Sequence, residues 1–314
     1  MSSDEQIRDK ITELKERRNA VLLVHNYQIP EVQEVADFLG DSLGLSRKAA
    51  ETDADVIVFC GVKFMAETAA ILSPDKKVIM PDPAAGCPMA DMIERDELRA
   101  LKEQHPDAVV VCYVNSSAEV KAESDLCCTS ANAKNIVESV EDDRPIIFVP
   151  DKYLGSWTAL QAGRELGKDF ILWDGYCPTH ARITPADVQR ARAEHPDALL
   201  MVHPECLTEV CRMADAVEST SGMCRLASES DAEEFIVGTE KGMVFRLATD
   251  NPGKQFYHIS SAAICPNMKL NNLEKVLWSL QEMEHEINVP PGVADKARRS
   301  IEAMVQAHQT PNTG

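Results

Sequence analysis

The sequence predicts an α/β protein of three homologous three-layer α/β/α domains, each with a short parallel sheet, in a pseudo-threefold arrangement around a central active site. Three observations lead there. Cys87, Cys177 and Cys265 are each followed by proline and lie 90 and 88 residues apart. Ahead of each stands a polar tripeptide at the end of an apolar run: His25-Asn26-Tyr27 after VLLV, Tyr113-Val114-Asn115 after VVVC, and His203-Pro204-Glu205 after LLMV. Apolar runs then alternate with amphipathic helical segments, the pattern of parallel sheets covered on both faces.

Further positions keep the register. Glu31-Val32, Glu119-Val120 and Glu209-Val210 follow the tripeptides at one offset, then Asp37, Asp125 and Asp215, then Ser42, Ser130 and Thr220. Lys63, Lys152 and Lys241 also recur, and HPDA occurs at His105 to Ala108 and His195 to Ala198. A period this long fits three small domains rather than a solenoid. The boundaries read as 1–92, 93–182 and 183–271, with a helical closing segment at 272–314.

Each unit opens with a helix and an apolar strand: EQIRDKITELKERR then AVLLV, ELRALKEQ then AVVVCYV, PADVQRARAE then ALLMV. A second helix, with the register hydroxyl near its start, leads to DVIVF, PIIFV or EFIVG. A third strand, KVIMPD, DFILWD or QFYHIS, precedes each cysteine. The tripeptides and cysteines therefore fall at the carboxyl edges of the sheets, where ligands bind in open parallel sheets. After the third unit, LEKVLWSLQEMEHEI and ADKARRSIEAMVQAH read as helices.

Composition narrows the function classes. With 314 residues, 44% of them apolar, the chain has the make-up of a globular protein. No apolar run reaches the ~18 residues of a membrane span, and the charged amino terminus has no secretory core, so a cytoplasmic location is expected. A formal charge of −19 argues against a nucleic-acid partner. Ten cysteines in a reducing compartment favour metal ligation for some of them over a disulfide framework.

Three register thiols from three units can hold a metal group and leave one position open, where four would close it. Cys60, Cys112, Cys127, Cys128, Cys206, Cys211 and Cys224 have no threefold partners and read as packing residues. Ser42, Ser130 and Thr220 stand where helices begin; three hydroxyls beside free N–H groups and helix dipoles suit a small ligand with several negative charges. His25, Tyr27, Tyr113, Asn115, His203 and Glu205 supply acid, base and hydrogen-bonding groups. Asp37, Asp125 and Asp215, placed in the helical stretch before the hydroxyls, read as structural, as do His105 and His195. The three lysines read as surface residues.

The matching stretches VHNYQ with GDSLGLS, FCGVKFMAETA, GCPMADM, CYVNSSAEVKAESD with CCTSAN, FVPDKYLG, WDGYCPTH, HPEC with ESTSGM, and GTEKGMVFRL resemble the quinolinate synthase family of de novo NAD biosynthesis, from about His25 through Met268. The resemblance implies a transferase that condenses iminoaspartate with dihydroxyacetone phosphate to quinolinate, losing phosphate and two waters. It implies a 4Fe-4S cluster held by Cys87, Cys177 and Cys265, whose open iron is a Lewis acid. It assigns His25, Tyr27, His203 and Glu205 to catalysis and Ser42, Tyr113, Asn115, Ser130, Ser219 and Thr220 to substrate binding, with His180 a further candidate. An aspartate oxidase or dehydrogenase would supply the imine. A disulfide switch at the carboxyl terminus, proposed for some members, has no cysteines here after Cys265. Alternatives are a diphthamide-biosynthesis-like iron-sulfur radical enzyme, a non-catalytic iron-sulfur sensor, and a zinc-bound structural trimer of domains.

Overall fold

The computed structural model describes residues 3–141 and 143–306, and the chain forms two compact bodies. One comprises the chain up to Cys87 with Cys265–Asp295; the other comprises Pro88–Ile264 with the chain from Lys296 on. The first repeat's strands thus lie in one body and those of the second and third in the other, while Cys87 and Cys265 both fall in the first body and Cys177 in the second.

Each repeat builds one all-parallel sheet of four strands. In the first, β1 (Ala20–His25), β2 (Phe38–Gly40), β3 (Val56–Cys60) and β4 (Lys77–Ile79) take the order β2-β1-β3-β4. In the second, β5 (Val109–Tyr113), β6 (Leu126–Cys128), β7 (Ile146–Val149) and β8 (Phe170–Leu172) take the order β6-β5-β7-β8. In the third, β9 (Leu199–Val202), β10 (Ala216–Val217), β11 (Glu234–Gly238) and β12 (Gln255–His258) take the order β10-β9-β11-β12. The central strands are buried apolar runs, as the continuous hydrophobic pattern predicts; β3, β5 and β7 are buried at every residue.

The strand beside each leading strand is the element absent from the sequence reading, and it explains the register aspartates. Asp37, Asp125 and Asp215 lie immediately before β2, β6 and β10, not within helices. Each Oδ2 accepts the backbone N–H of Leu22, Val110 or Leu200 at 2.8 Å. Each aspartate N–H in turn donates to that same residue's carbonyl, at 3.1, 3.1 and 2.9 Å. The carboxylate thus completes the ladder where the short edge strand has run out. The structural role expected of these aspartates holds, with a different placement.

A second threefold contact fixes the cysteine loops. The backbone N–H groups of Lys63, Lys152 and Lys241 donate to the carbonyls of Ala85, Gly175 and Ala263, at 2.8, 2.8 and 3.1 Å. Each acceptor lies two residues before a register cysteine. At these three positions the main chain holds that loop, and in the second repeat the Lys152 ammonium adds a bond to Asp174 at 2.7 Å.

The predicted opening and closing helices form with one change. The helices Ser3–Arg18 and Leu273–Glu282 pack on the first sheet through Ile11, Leu14, Leu273, Val276 and Leu280. Fully burying each such side chain contributes about 1.5–3 kcal/mol. MEHEI, read as helical, is not: Met283 ends the helix in a left-handed turn, φ 57°, with its N–H on Ser279 O at 2.9 Å. His285 to Ile287 then run antiparallel to β4, Met80 N donating to His285 O and Ile287 N to Val78 O. The last helix, Pro291–Gln306, starts with proline at its first position. Its Ser300 Oγ bonds Lys121 O at 2.9 Å in the second repeat. No helix among the described residues is long and apolar enough to cross a membrane.

Candidate active site

In the first body, β1 ends at His25, with Tyr27 two residues on. The Tyr27 N–H donates to His25 Nδ1 at 3.2 Å, and the two rings meet edge to face at 4.7 Å. A ring nitrogen that accepts carries no proton, so His25 holds its proton on Nε2. Lys269 Nζ bonds Tyr27 O. Asn267, two residues after Cys265, donates to Gly86 O at 2.8 Å and so ties the loop of Cys265 to that of Cys87. Ser42 is the first residue of the helix Ser42–Glu51; the cap is Asp41, which accepts Gly44 N–H at 2.8 Å.

The second body repeats the histidine turn and builds on it. The Glu205 N–H donates to His203 Nδ1 at 3.3 Å, leaving the proton on Nε2, which lies 3.2 Å from Ser130 Oγ. His203 is 3% exposed, and burial lowers its pKa from 6.5 to about 3; the nearby Glu205 charge opposes the shift and His180 adds to it. The imidazole is therefore neutral at pH 7, with an N–H to give.

Glu205 is the hub. Its Oε1 accepts the Tyr113 hydroxyl at 2.5 Å and Asn115 Nδ2 at 3.4 Å, and its Oε2 meets His180 Nδ1 at 2.7 Å. Burial would raise its pKa, but its interactions with His180 and His203 and the hydrogen bonds from His180 and Tyr113 outweigh it. The carboxyl stays well below the usual range, an ionised acceptor inside the protein. His180 Nδ1 is also 3.2 Å from Cys177 Sγ, its Nε2 is 2.8 Å from Thr239 Oγ1, and its ring stacks on His203 with centroids 4.8 Å apart. Cys177, His180 and Glu205 offer sulfur, nitrogen and oxygen atoms all within 4.8 Å of one another, a set able to hold a metal.

The helix starts differ among the repeats. Thr220 is the first residue of Thr220–Glu229, and Ser219 caps it by accepting Gly222 N–H at 3.1 Å. In the second repeat the helix Ala133–Glu138 begins three residues after Ser130, whose hydroxyl is turned to His203. The hydroxyls thus stand at first helical positions twice, and once in the turn ahead of the helix.

Cys87, Cys177 and Cys265 are partly exposed, as is Cys224, and the other six thiols are buried. Burial raises the thiols of Cys128 and Cys206 and takes Cys211 to about 12. Cys112 moves the other way, to about 7: burial is outweighed by hydrogen bonds from Cys127 and Ser116 and by the Lys121 charge. His195 ends its helix and stacks on Tyr257 at 3.5 Å, the structural place expected of it.

Sequence reasoning missed three buried groups beside this array, Asp151, Thr239 and Glu240, each fully buried. Asp151 caps the helix Lys152–Ala162 through the N–H groups of Tyr153 and Leu154. Burial, then the charge of Glu205, raises its pKa well above the carboxylate range. A signal was present: Asp151 and Glu240 stand one residue before the register lysines Lys152 and Lys241.

A family model described as quinolinate synthetase A protein matches residues 9–306. The quinolinate synthase of Dehalococcoides mccartyi strain CBDB1 is 53% identical over 302 residues, 96% of this chain and 98% of its own. That of Thermodesulfovibrio yellowstonii is 52% identical over 297 residues, 95% of this chain and 97% of its own. That of Methanosarcina barkeri is 51% identical over 297 residues, 95% of this chain and 96% of its own. The chain is an enzyme and belongs to the quinolinate synthetase A protein family.

Proposed function

We propose that the enzyme condenses iminoaspartate with dihydroxyacetone phosphate to give quinolinate, phosphate and two waters. The observation that carries this reading is the buried array of Tyr113, Asn115, His180, His203 and Glu205 beside Cys177, in a chain of this family. The reaction balances without an oxidant. It needs groups that bind anions, groups that take protons from carbon or nitrogen, and groups that give protons to departing oxygens.

The donor set fits a 4Fe-4S cluster. Cys87, Cys177 and Cys265 are the partly exposed thiols in register, and the loop of each is fixed by the same main-chain bond. One cysteine from each repeat, read as 1–92, 93–182 and 183–271, would hold it. When bound, the cluster supplies a Lewis acid at the iron that lacks a cysteine.

The protein's own groups divide the remaining work. Glu205, ionised and oriented by Tyr113 and His180, is the proton acceptor. His203, neutral with its proton on Nε2, is the donor to a leaving oxygen, and Ser130 aims that N–H. His25, in the same tautomer, and Tyr27 serve the proton transfers of ring closure. Ser42, Ser219 and Thr220 at the starts of ten-residue helices offer hydroxyls and N–H groups to carboxylates and phosphate. Tyr113, Asn115 and Ser130 complete substrate binding.

The test is formation of quinolinate by anaerobically purified protein given dihydroxyacetone phosphate and iminoaspartate, the latter generated in place by an aspartate oxidase or dehydrogenase. Product dependent on both substrates supports the reading. Cluster-loaded protein that makes none refutes it.

A further inference from the structure

We infer that His180 is a positioning residue: its Nδ1–H sets the orientation of the Glu205 carboxylate and shares that proton with the Cys177 sulfur. The inference rests on the quinolinate-forming reading of the site, because it concerns how that reaction's proton acceptor is held.

Four contacts define the ring's orientation. Nδ1 is 2.7 Å from Glu205 Oε2 and 3.2 Å from Cys177 Sγ, Nε2 is 2.8 Å from Thr239 Oγ1, and the ring stacks on His203 at 4.8 Å. Glu205 Oε1 is taken by Tyr113 and Asn115, and a proton on Nδ1 gives both Glu205 Oε2 and Cys177 Sγ a donor, so the proton is assigned to Nδ1. The hydroxyl of Thr239 then donates to Nε2. His180 is 1% exposed and Thr239 fully buried, so no water competes for either nitrogen.

The position of His180 in the chain makes the coupling direct. It lies three residues after Cys177, in a single turn of 3-10 helix, His180–Arg182. The Ala181 N–H donates to Cys177 O at 3.0 Å, which locks the thiol and the imidazole into one rigid turn. The carboxylate that takes protons and the sulfur that ligates iron thus share one hydrogen-bond donor. Hydrogen bonds to a cluster's sulfur ligands are among the factors that set its reduction potential. A donor shared between Glu205 and Cys177 ties the placement of the one to the electronics of the other.

The test compares His180→Asn, whose amide can place an N–H where Nδ1 stands, with His180→Leu, which fills the space without a donor. The expected result is a kcat about 10- to 100-fold lower for His180→Leu, with KM changed far less, and recovery of most of that loss in His180→Asn. The cluster's reduction potential shifts negative in His180→Leu and stays near wild type in His180→Asn. Nitrogen-15 spectra of histidine-labelled apoprotein show the His180 proton on Nδ1, a readout that needs neither cluster nor substrate. The inference is overturned if the proton is on Nε2, or if the two variants lose activity equally with the potential unchanged. If His180→Leu does not fold, the tautomer and the His180→Asn potential still decide. Protein that makes no quinolinate but shows the Nδ1 proton and the potential shift refutes the proposed function and leaves the His180 contact standing.

Discussion

Replacing Glu205 with glutamine removes one charge and almost no volume, so its effects report on hydrogen bonding and proton transfer. Both carboxylate oxygens are acceptors, Oε1 for Tyr113 and Asn115 and Oε2 for His180. A glutamine has one acceptor oxygen and one NH₂ group. If the NH₂ faces His180, two donors oppose each other across 2.7 Å. If it faces Tyr113, that hydroxyl must rotate to accept, and Asn115 loses its acceptor. Either way one hydrogen bond to a buried charge is lost, about 1.5–3 kcal/mol. Stability should fall by that amount in denaturant titrations of the apoprotein. The kinetic effect is larger, because a general base contributes roughly 10²–10⁴-fold. Glu205→Gln should therefore lose at least about 100-fold in kcat in an anaerobic quinolinate assay while keeping its iron. A variant with intact iron and a kcat within threefold of wild type would refute the role given to this carboxylate.

Other consequences follow from single contacts. His203 has a folded pKa of about 3 against 6.5 unfolded, so between those values the unfolded chain binds more protons and stability falls as pH drops. The slope is at most about 1.4 kcal/mol per pH unit. Unfolding titrations between pH 6.5 and 5 should show it in the wild type and show it reduced in His203→Gln. Asp125→Ala leaves the Val110 N–H without the carboxylate that it meets at 2.8 Å, and should destabilise by about 1–2 kcal/mol in the same assay. Lys152→Ala removes the ammonium contacts to Asp174 at 2.7 Å and to the Tyr176 ring but keeps the main-chain N–H that meets Gly175 O at 2.8 Å, so it should destabilise by no more than about 1 kcal/mol in the same assay and keep its iron content.

The triplication and the strand positions were legible in the sequence because each rests on a period that is long or repeated. DVIVF, PIIFV and EFIVG match β3, β7 and β11 to within a residue or two. The edge strands β2, β6 and β10 were not legible. They are two or three residues long, too short for alternation to register, and they exist because an aspartate side chain continues the ladder that they begin. The grouping of the repeats into two bodies depends on packing that a repeat pattern does not encode.

At the site, residue types and their register pointed to His203, Glu205, Tyr113 and Cys177 before any coordinates did. The wiring among them did not follow. His180 has no register partner, and only folding of the turn after Cys177 brings its ring between that thiol and Glu205. Thr239, Asp151 and Glu240 matter through burial, which depends on the assembled second body. The shared main-chain role of Lys63, Lys152 and Lys241 was hidden for another reason: spacing reveals that a position recurs, but not whether its side chain or its backbone is used.

The central claim is that three thiols, one from each repeat, hold a four-iron cluster on which quinolinate formation depends. It is tested most directly by iron and sulfide analysis of anaerobically reconstituted Cys87→Ser, Cys177→Ser and Cys265→Ser, alongside wild type and Cys224→Ser. The account predicts about four irons and four sulfides per chain in wild type and Cys224→Ser, and loss of the intact cluster and of quinolinate formation in each of the other three. Retention of a full, active cluster by any one of those three variants would contradict it.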